Sequence, residues 1–171
     1  MKEKLRIISL IGMTGVGKTT VGKCLSEKSG REFLDLDLII NKKTEKTPSE
    51  IFASYGEEAF RNIETEELLN IFEKYYKYNK NIILSCGGGI ILKEANRDML
   101  KKNSFVVWLL RPVGEIIKNE EILSRPPING DIKNYIEIFK RRESLYNEIC
   151  DLKIEYADIS EAVGNIIQFI N

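Results

Sequence analysis

The residues with the clearest chemical signature lie near the N-terminus, in a glycine-rich stretch followed by Lys and Thr. Gly12, Gly17, Lys18 and Thr19 fill the fixed positions of the pattern G-x-x-x-x-G-K-[ST], between an apolar run and an amphipathic one. The glycines of such a loop let backbone N–H groups point at phosphate oxygens, and the following helix adds a positive dipole. The pattern predicts a nucleotide-phosphate site. The alternative is a glycine-rich turn without a ligand.

Two side chains of this loop have separate predicted roles. Lys18 is placed to reach the β- and γ-phosphates and is a candidate catalytic residue, whereas the Thr19 hydroxyl is a candidate ligand of Mg²⁺. The predicted nucleotide-binding residues are Gly12, Met13, Thr14, Gly15, Val16, Gly17, Lys18, Thr19 and Thr20.

Asp35 and Asp37 are the carboxylates expected to work with this loop, because neither of the strands predicted at 82–85 and 105–110 ends in Asp. In an extended chain, residues i and i+2 point to the same side, so both carboxylates would face one locus. One could support Mg²⁺ and the other could accept a hydroxyl proton, as phosphoryl transfer requires. Alternatively, the pair caps a helix in a polar turn.

Two arginines are candidates for binding an anion. Arg61 follows Glu57 by four residues on a predicted helix, so a surface ion pair is the alternative reading. Arg142 shares one helix face with Tyr135, Phe139 and Tyr146, and an arginine on such an inward aromatic face needs an anionic partner. That partner is either a ligand or a structural Asp or Glu.

Three consecutive glycines, Gly87, Gly88 and Gly89, follow the third predicted strand directly. Such a run costs backbone entropy, so it indicates positive φ or a close approach of a ligand to the backbone, although a plain tight turn is also possible. Arg125 lies in a long irregular connection, where an arginine could reach transferring phosphates or stay in solvent.

Composition excludes several other classes of protein. Lys plus Arg and Asp plus Glu number 26 each, so no overall positive field favours nucleic acid or a membrane surface. The longest apolar run, 105–110, is far too short to span a bilayer. The chain has no histidine, which excludes Ser-His-Asp and Cys-His catalysis, and it lacks the D-x-x-G and N-K-x-D patterns of switch GTPases. Three scattered cysteines indicate reduced thiols in a cytoplasmic protein.

Short apolar runs alternate with longer amphipathic ones, which predicts an α/β fold with a parallel sheet between helices. A chain of 171 residues provides one domain of this kind. Strands are expected at 5–11, 33–36, 82–85, 105–110 and 152–154. Helices are expected at about 18–29, at 48–78 with a break near Gly56, and at about 94–102, 132–149 and 160–170. The segments 35–56 and 111–131 fit this scheme poorly, and long irregular stretches are usually functional.

The order of these motifs resembles the shikimate kinase family. Along residues 7–150 the chain carries the phosphate loop, Asp-Leu-Asp at 35–37, Phe60-Arg61, Cys-Gly-Gly-Gly at 86–89, Arg-Pro-Pro at 125–127 and Arg142-Glu-Ser-Leu-Tyr146. The resemblance implies a three-layer P-loop kinase fold, with a five-stranded parallel sheet of order 2-3-1-4-5. It also implies a substrate-binding segment at about 33–61 and a closing lid at about 111–131.

The activity implied by the resemblance is phosphorylation of the 3-hydroxyl of shikimate by ATP with Mg²⁺, in the synthesis of chorismate and the aromatic amino acids. Within that activity, Asp37 would hold the shikimate hydroxyls and act catalytically, and Asp35 would lie with Thr19 near Mg²⁺. Arg61 and Arg142 would hold the substrate carboxylate, Gly87, Gly88 and Gly89 would line its pocket, and Arg125 would contact ATP and act in catalysis.

The expected partners are ATP and shikimate, without nucleic acid or membrane, and we expect a monomer in the cytoplasm. Two alternatives remain at this point. One is another small-metabolite kinase of the gluconate or nucleotide type, and the other is a nucleotide-binding protein without catalytic activity.

Overall fold

The computed structural model describes residues 4–116 and 131–170, and it contains a five-stranded sheet in which every neighbouring pair is parallel. The strand order is β2-β3-β1-β4-β5, as predicted. The strands are β1 (Ile7–Ile11), β2 (Glu32–Asp35), β3 (Ile82–Ser85), β4 (Phe105–Leu110) and β5 (Leu152–Glu155). The predicted fold class is therefore confirmed, with strand ends displaced by one or two residues.

Helices cover both faces of this sheet. They are α1 (Lys18–Ser29), α2 (Leu36–Thr44), α3 (Pro48–Lys77), α4 (Glu94–Asn103), α5 (Val113–Ile116), α6 (Ile132–Ile149) and α7 (Ile159–Ile170). Short 3₁₀ turns occupy Lys4–Arg6 and Ile90–Leu92. None of the described helices is long and apolar enough to cross a membrane.

The core explains why the central strands read as continuous apolar runs. The β1 residues are all buried, because a parallel sheet is covered on both faces. On one face, Trp108 of β4 is fully buried and its ring stacks on Tyr146 of α6, with centroids 5.6 Å apart. On the other face, α1 packs so closely that a Cβ at Gly22 would lie 2.4 Å from the Phe33 ring. The phosphate loop is thus fixed between two rigid elements.

Helix α3 follows its sequence signals closely. Thr47 and Glu50, in the sequence Thr-Pro-Ser-Glu, form a capping box, with Pro48 at the first helical position. The expected break is present at Gly56, whose φ of 83° and ψ of 170° are non-helical. Past this break, the helix carries Arg61 and Glu64 towards the sheet.

The segments 35–56 and 111–131, which did not fit the predicted alternation of strands and helices, differ in the structure. Residues 36–44 form α2, so the prediction of irregular structure there was wrong, and a helix begins because the Asp35 carboxylate caps it. In the predicted lid, 113–116 form the single turn α5, whereas 117–130 lie outside the described residues. The lid and the role of Arg125 therefore stay predictions.

Candidate active site

The phosphate loop joins β1 to α1 in a conformation that its glycines permit. Gly15 and Gly17 have φ values of 87° and 88°, in the region that favours glycine. The first turn of α1 has no side-chain cap, since Gly17 occupies the cap position. An uncapped helix N-terminus keeps backbone N–H groups for an anion. The loop can therefore do what its sequence pattern predicts.

Lys18 folds back over this loop. Its Nζ donates hydrogen bonds to the carbonyl oxygens of Gly12 and Met13, each at 2.9 Å. These contacts hold the ammonium group above the concave side of the loop, where an anion would meet it together with the N–H groups of α1.

Thr19 and Asp35 lie in direct contact. The Thr19 hydroxyl donates to Oδ2 of Asp35 at 2.7 Å, which brings together the two residues predicted to bind Mg²⁺. A hydroxyl and a carboxylate are hard oxygen donors of the kind that Mg²⁺ prefers, with its remaining positions filled by phosphates and water.

The prediction that Asp35 and Asp37 share one locus in extended chain was wrong. Asp35 ends β2 and its Oδ1 accepts from the backbone N–H groups of Asp37 and Leu38, at 3.1 and 3.3 Å. The chain therefore turns into α2, and Asp37 lies in the first helical turn. Asp35 consequently faces Thr19, whereas Oδ1 of Asp37 lies beside Gly87. Asp35 therefore caps a helix and also contacts Thr19 next to the phosphate loop.

A cavity of about 480 Å³ opens next to the phosphate loop and gathers most of the other candidates. Four parts of the chain form its walls: the loop itself, α2–α3, the glycine run after β3, and α6. Its lining residues include Thr14, Asp37, Glu57, Arg61, Glu64, Gly87, Gly88, Gly89, Asn134 and Arg142. The six predicted substrate-binding residues thus lie around one cavity that reaches the phosphate loop.

The triple glycine is required by close contacts. None of the three has a φ in the left-handed region, so the first predicted alternative, positive φ, does not apply, and the second, close approach of a ligand to the backbone, stays a prediction. A Cβ at Gly89 would lie 2.1 Å from Nη2 of Arg61, and one at Gly87 would lie 2.8 Å from Oε1 of Glu64. The glycines therefore let charged side chains approach the backbone.

Arg61 is held by carboxylates on both sides. Its Nη2 lies 3.1 Å from Oε1 of Glu57, which is the ion pair considered from sequence, and its Nη1 donates to Oε2 of Glu64. The residue is only 8% exposed and its guanidinium lies over the rings of Phe52 and Phe60, so this is not a surface pair.

Arg142 reaches the same cavity from α6. Its Nη1 donates to the carbonyl of Gly88 at 3.2 Å, and the Tyr146 hydroxyl donates to that carbonyl as well. Among the described side chains, no Asp or Glu forms an ion pair with Arg142. The structural counter-ion considered from sequence is not found in this part of the chain, so the guanidinium remains able to take an anionic ligand.

Comparison with known proteins decides the family. The family model described as shikimate kinase matches residues 14–171. A curated shikimate kinase of Clostridium botulinum (strain Eklund 17B / Type B) is 36% identical, covering 99% of this chain and 98% of that protein. One of Dictyoglomus turgidum is 39% identical, covering 94% and 95%. The chain belongs to the shikimate kinase family.

A solved structure of this family carries a ligand. The shikimate kinase from Acinetobacter baumannii, described in complex with shikimate, superposes with a TM-score of 0.83 at 34% identity, covering 98% of this chain and 94% of that one. The shikimate kinase from Aquifex aeolicus gives a TM-score of 0.77 at 28% identity. The family resemblance stated from the motifs is confirmed.

Glu64 is a member of this site that sequence reasoning missed. It is fully buried, and burial raises the pKa of its carboxyl to about 7 although the Arg61 guanidinium opposes that rise. The available signal was its position three residues after Arg61, on a helix face that also carries the apolar residues Phe60 and Leu68.

Proposed function

We propose that this chain transfers the γ-phosphoryl group of ATP to the 3-hydroxyl of shikimate, giving shikimate 3-phosphate and ADP for chorismate synthesis. The observation that carries this proposal is the cavity beside the phosphate loop, into which α3 and α6 each project a guanidinium group. A cavity with two arginines suits a small carboxylate substrate, since Arg–carboxylate contacts are charge-assisted and often bidentate.

Each wall of the cavity has a place in this reaction. Arg61 and Arg142 bind the substrate carboxylate at one end, and Gly87, Gly88 and Gly89 let the sugar-like ring lie against the backbone. Asp37 binds the hydroxyls at the end nearer the phosphate loop and accepts the proton of the attacking oxygen.

The nucleotide is bound by the loop 12–20. Lys18 and the N–H groups at the start of α1 bind the β- and γ-phosphates and stabilise the charge that develops during transfer. Thr19 and Asp35 would hold Mg²⁺, which neutralises phosphate charge when bound. We assign Arg125 to the same phosphates, on the resemblance alone because it lies outside the described residues.

The whole chain is proposed to act as one domain, with the substrate segment at about 33–61 and the lid at about 111–131. We also propose a cytoplasmic monomer. The cysteines Cys24, Cys86 and Cys150 are free thiols, which suits a reducing compartment.

The direct test is a coupled assay of ADP release with shikimate, gluconate or a nucleoside monophosphate as acceptor. Among these three acceptors we expect turnover only with shikimate. Gluconate carries its carboxylate on an open chain and a nucleoside monophosphate carries a phosphate, so neither places a ring-borne carboxylate at the two cavity arginines. Preferred turnover of gluconate or of a nucleotide would move the chain to another kinase class. ATP binding without any turnover would leave only nucleotide binding.

Replacing Arg142 by alanine should raise the KM for shikimate at least about tenfold while the KM for ATP barely moves. Loss of one partner of a desolvated charge pair costs roughly 2–5 kcal/mol, and every 1.4 kcal/mol is about a factor of ten. Arg142→Lys should rescue binding only partly, because an ammonium group cannot make the two-pronged contact. Steady-state kinetics with each substrate varied in turn measures both constants.

The matched control for this prediction is Arg141→Ala on the same helix. The Arg141 side chain is 80% exposed and pairs with Glu137 at the surface, so both KM values should stay unchanged. Equal weakening of ATP and shikimate in Arg142→Ala, or its unfolding, would make Arg142 a structural residue instead.

Asp35→Asn should change the Mg²⁺ requirement rather than the fold. Asparagine caps a helix about as well as aspartate, so α2 should persist. The amide loses the negative charge beside Thr19, and we expect the Mg²⁺ concentration for half-maximal rate to rise at least about tenfold. Titrating activity with Mg²⁺ measures this shift, and an unchanged midpoint would remove Asp35 from the metal site.

A further inference from the structure

Charged side chains of both signs line the substrate cavity. Asp37, Glu57 and Glu64 line the cavity together with Arg61 and Arg142. The Glu57 side chain is 57% exposed, so water screens its charge. Of the described lining residues, Glu64 is the carboxylate that is fully buried and in contact with Arg61. A substrate carboxylate that contacts Arg61 adds a negative charge next to it.

Glu64 can compensate that charge by becoming protonated. Its side chain is fully buried, and Oε2 accepts from Nη1 of Arg61. Its other oxygen, Oε1, has no hydrogen-bond partner among the described residues and lies beside Gly87 at the cavity wall. A buried carboxylate oxygen without a donor is costly, and a proton on that oxygen removes the charge that makes it so.

The surroundings of Glu64 place its proton equilibrium near neutrality. Burial raises the pKa of this carboxyl to about 7, and the negative charges of Asp37 and Glu57 act in the same direction, whereas Arg61 opposes them. The ionisable groups that face it come from every neighbouring element: Arg61 and Glu57 of α3, Asp37 of α2, Cys86 after β3, and Arg142 and Tyr146 of α6.

We propose that the carboxylate substrate binds together with one proton, which Oε1 of Glu64 takes up from solvent. When the substrate carboxylate contacts Arg61, Glu64 shares with a second anion the one cationic partner that it has among the described residues, so its neutral form is favoured. An O–H bond forms at Oε1 and a water or buffer molecule loses the proton, so the charge of the filled cavity equals that of the empty one. This inference rests on the proposed role of Arg61 in binding the substrate carboxylate.

The coupling fixes the direction of the pH dependence. The pKa of Glu64 is about 7 without substrate, and a substrate carboxylate at Arg61 should raise it further. Between these two values, binding takes up a proton and affinity falls as pH rises, by at most roughly tenfold per pH unit. Below the lower value Glu64 already carries its proton, so affinity there no longer depends on this group.

Titration calorimetry of shikimate binding to the full chain tests the proposal. At about pH 8, one unit above the substrate-free pKa, the binding heat should differ between phosphate and Tris, because the buffer supplies the proton. The slope of heat against buffer ionisation enthalpy should give at least about half a proton taken up. Glu64→Gln mimics the neutral acid, and its slope should fall to zero.

Two controls separate this inference from the proposed site. Glu66→Gln removes a carboxylate of the same helix that is 64% exposed, and it should keep the wild-type slope. If Glu64→Gln does not fold, the fall in wild-type affinity above neutral pH tests the same coupling. A wild-type slope of zero, or an unchanged slope in folded Glu64→Gln, overturns proton uptake at Glu64. Unaltered shikimate affinity in Arg142→Ala would instead overturn the site assignment.

Discussion

Replacing Lys18 by alanine should lower kcat at least about a thousandfold, the upper range for removing one positioned donor from a charge-developing site. The Nζ group is held over the phosphate loop by the carbonyl oxygens of Gly12 and Met13. From there it can follow the charge that gathers on the transferred phosphoryl group. Alanine keeps the start of α1 helical but removes the ammonium group from the donors that stabilise that charge.

The fold should survive this change because Lys18 is not part of the apolar core. Circular dichroism and thermal unfolding should match wild type, while the coupled assay should show almost no ADP release with both substrates present. Lys23→Ala is the matched control, since Lys23 is an exposed lysine of the same helix. Normal turnover in a folded Lys18→Ala protein would contradict the assignment of this loop.

The sequence was sufficient for the fold because local and long-range signals agree in this chain. Short, mainly apolar runs at 7–11, 82–85 and 105–110 are typical of strands in a parallel sheet that is covered on both faces. The phosphate-loop pattern then fixed which strand comes first and which helix follows it. The capping box at Thr47 and the break at Gly56 were predictable for the same reason, since each depends on a few adjacent residues.

The site was less predictable where its form depends on tertiary contacts. Asp35 and Asp37 read as an extended pair, but the Asp35 carboxylate caps α2 and rotates Asp37 towards Gly87. From sequence, Glu64 is a charged residue on a helix surface. In the structure it packs against the glycine run, a contact between distant parts of the chain. The contact between the Arg61 guanidinium and the backbone of Gly89 could not be predicted, because the residues next to Arg61 or Gly89 in the sequence do not indicate it.

Asp37→Asn should lower kcat by at least about a hundredfold, the usual scale for losing a positioned acid–base group. In the cavity, Oδ1 of Asp37 lies beside Gly87, and Asp37 lines the same cavity as Arg61 and Arg142. In our assignment, a substrate held by its carboxylate on the two arginines presents its reacting hydroxyl to Asp37. An amide at this position keeps the shape and can still bind a hydroxyl, but it cannot accept the proton.

The separation of the two aspartates makes this prediction specific. Asp35→Asn should move the Mg²⁺ dependence and Asp37→Asn should not, because Asp35 contacts Thr19 whereas Asp37 lines the substrate cavity. Asp98→Asn, at an exposed position on α4, should change neither quantity. The measurement is kcat at several Mg²⁺ concentrations for all three variants. A kcat within a few-fold of wild type in Asp37→Asn would transfer the proton-accepting role to another group, and identical profiles for the first two variants would refute their separate roles.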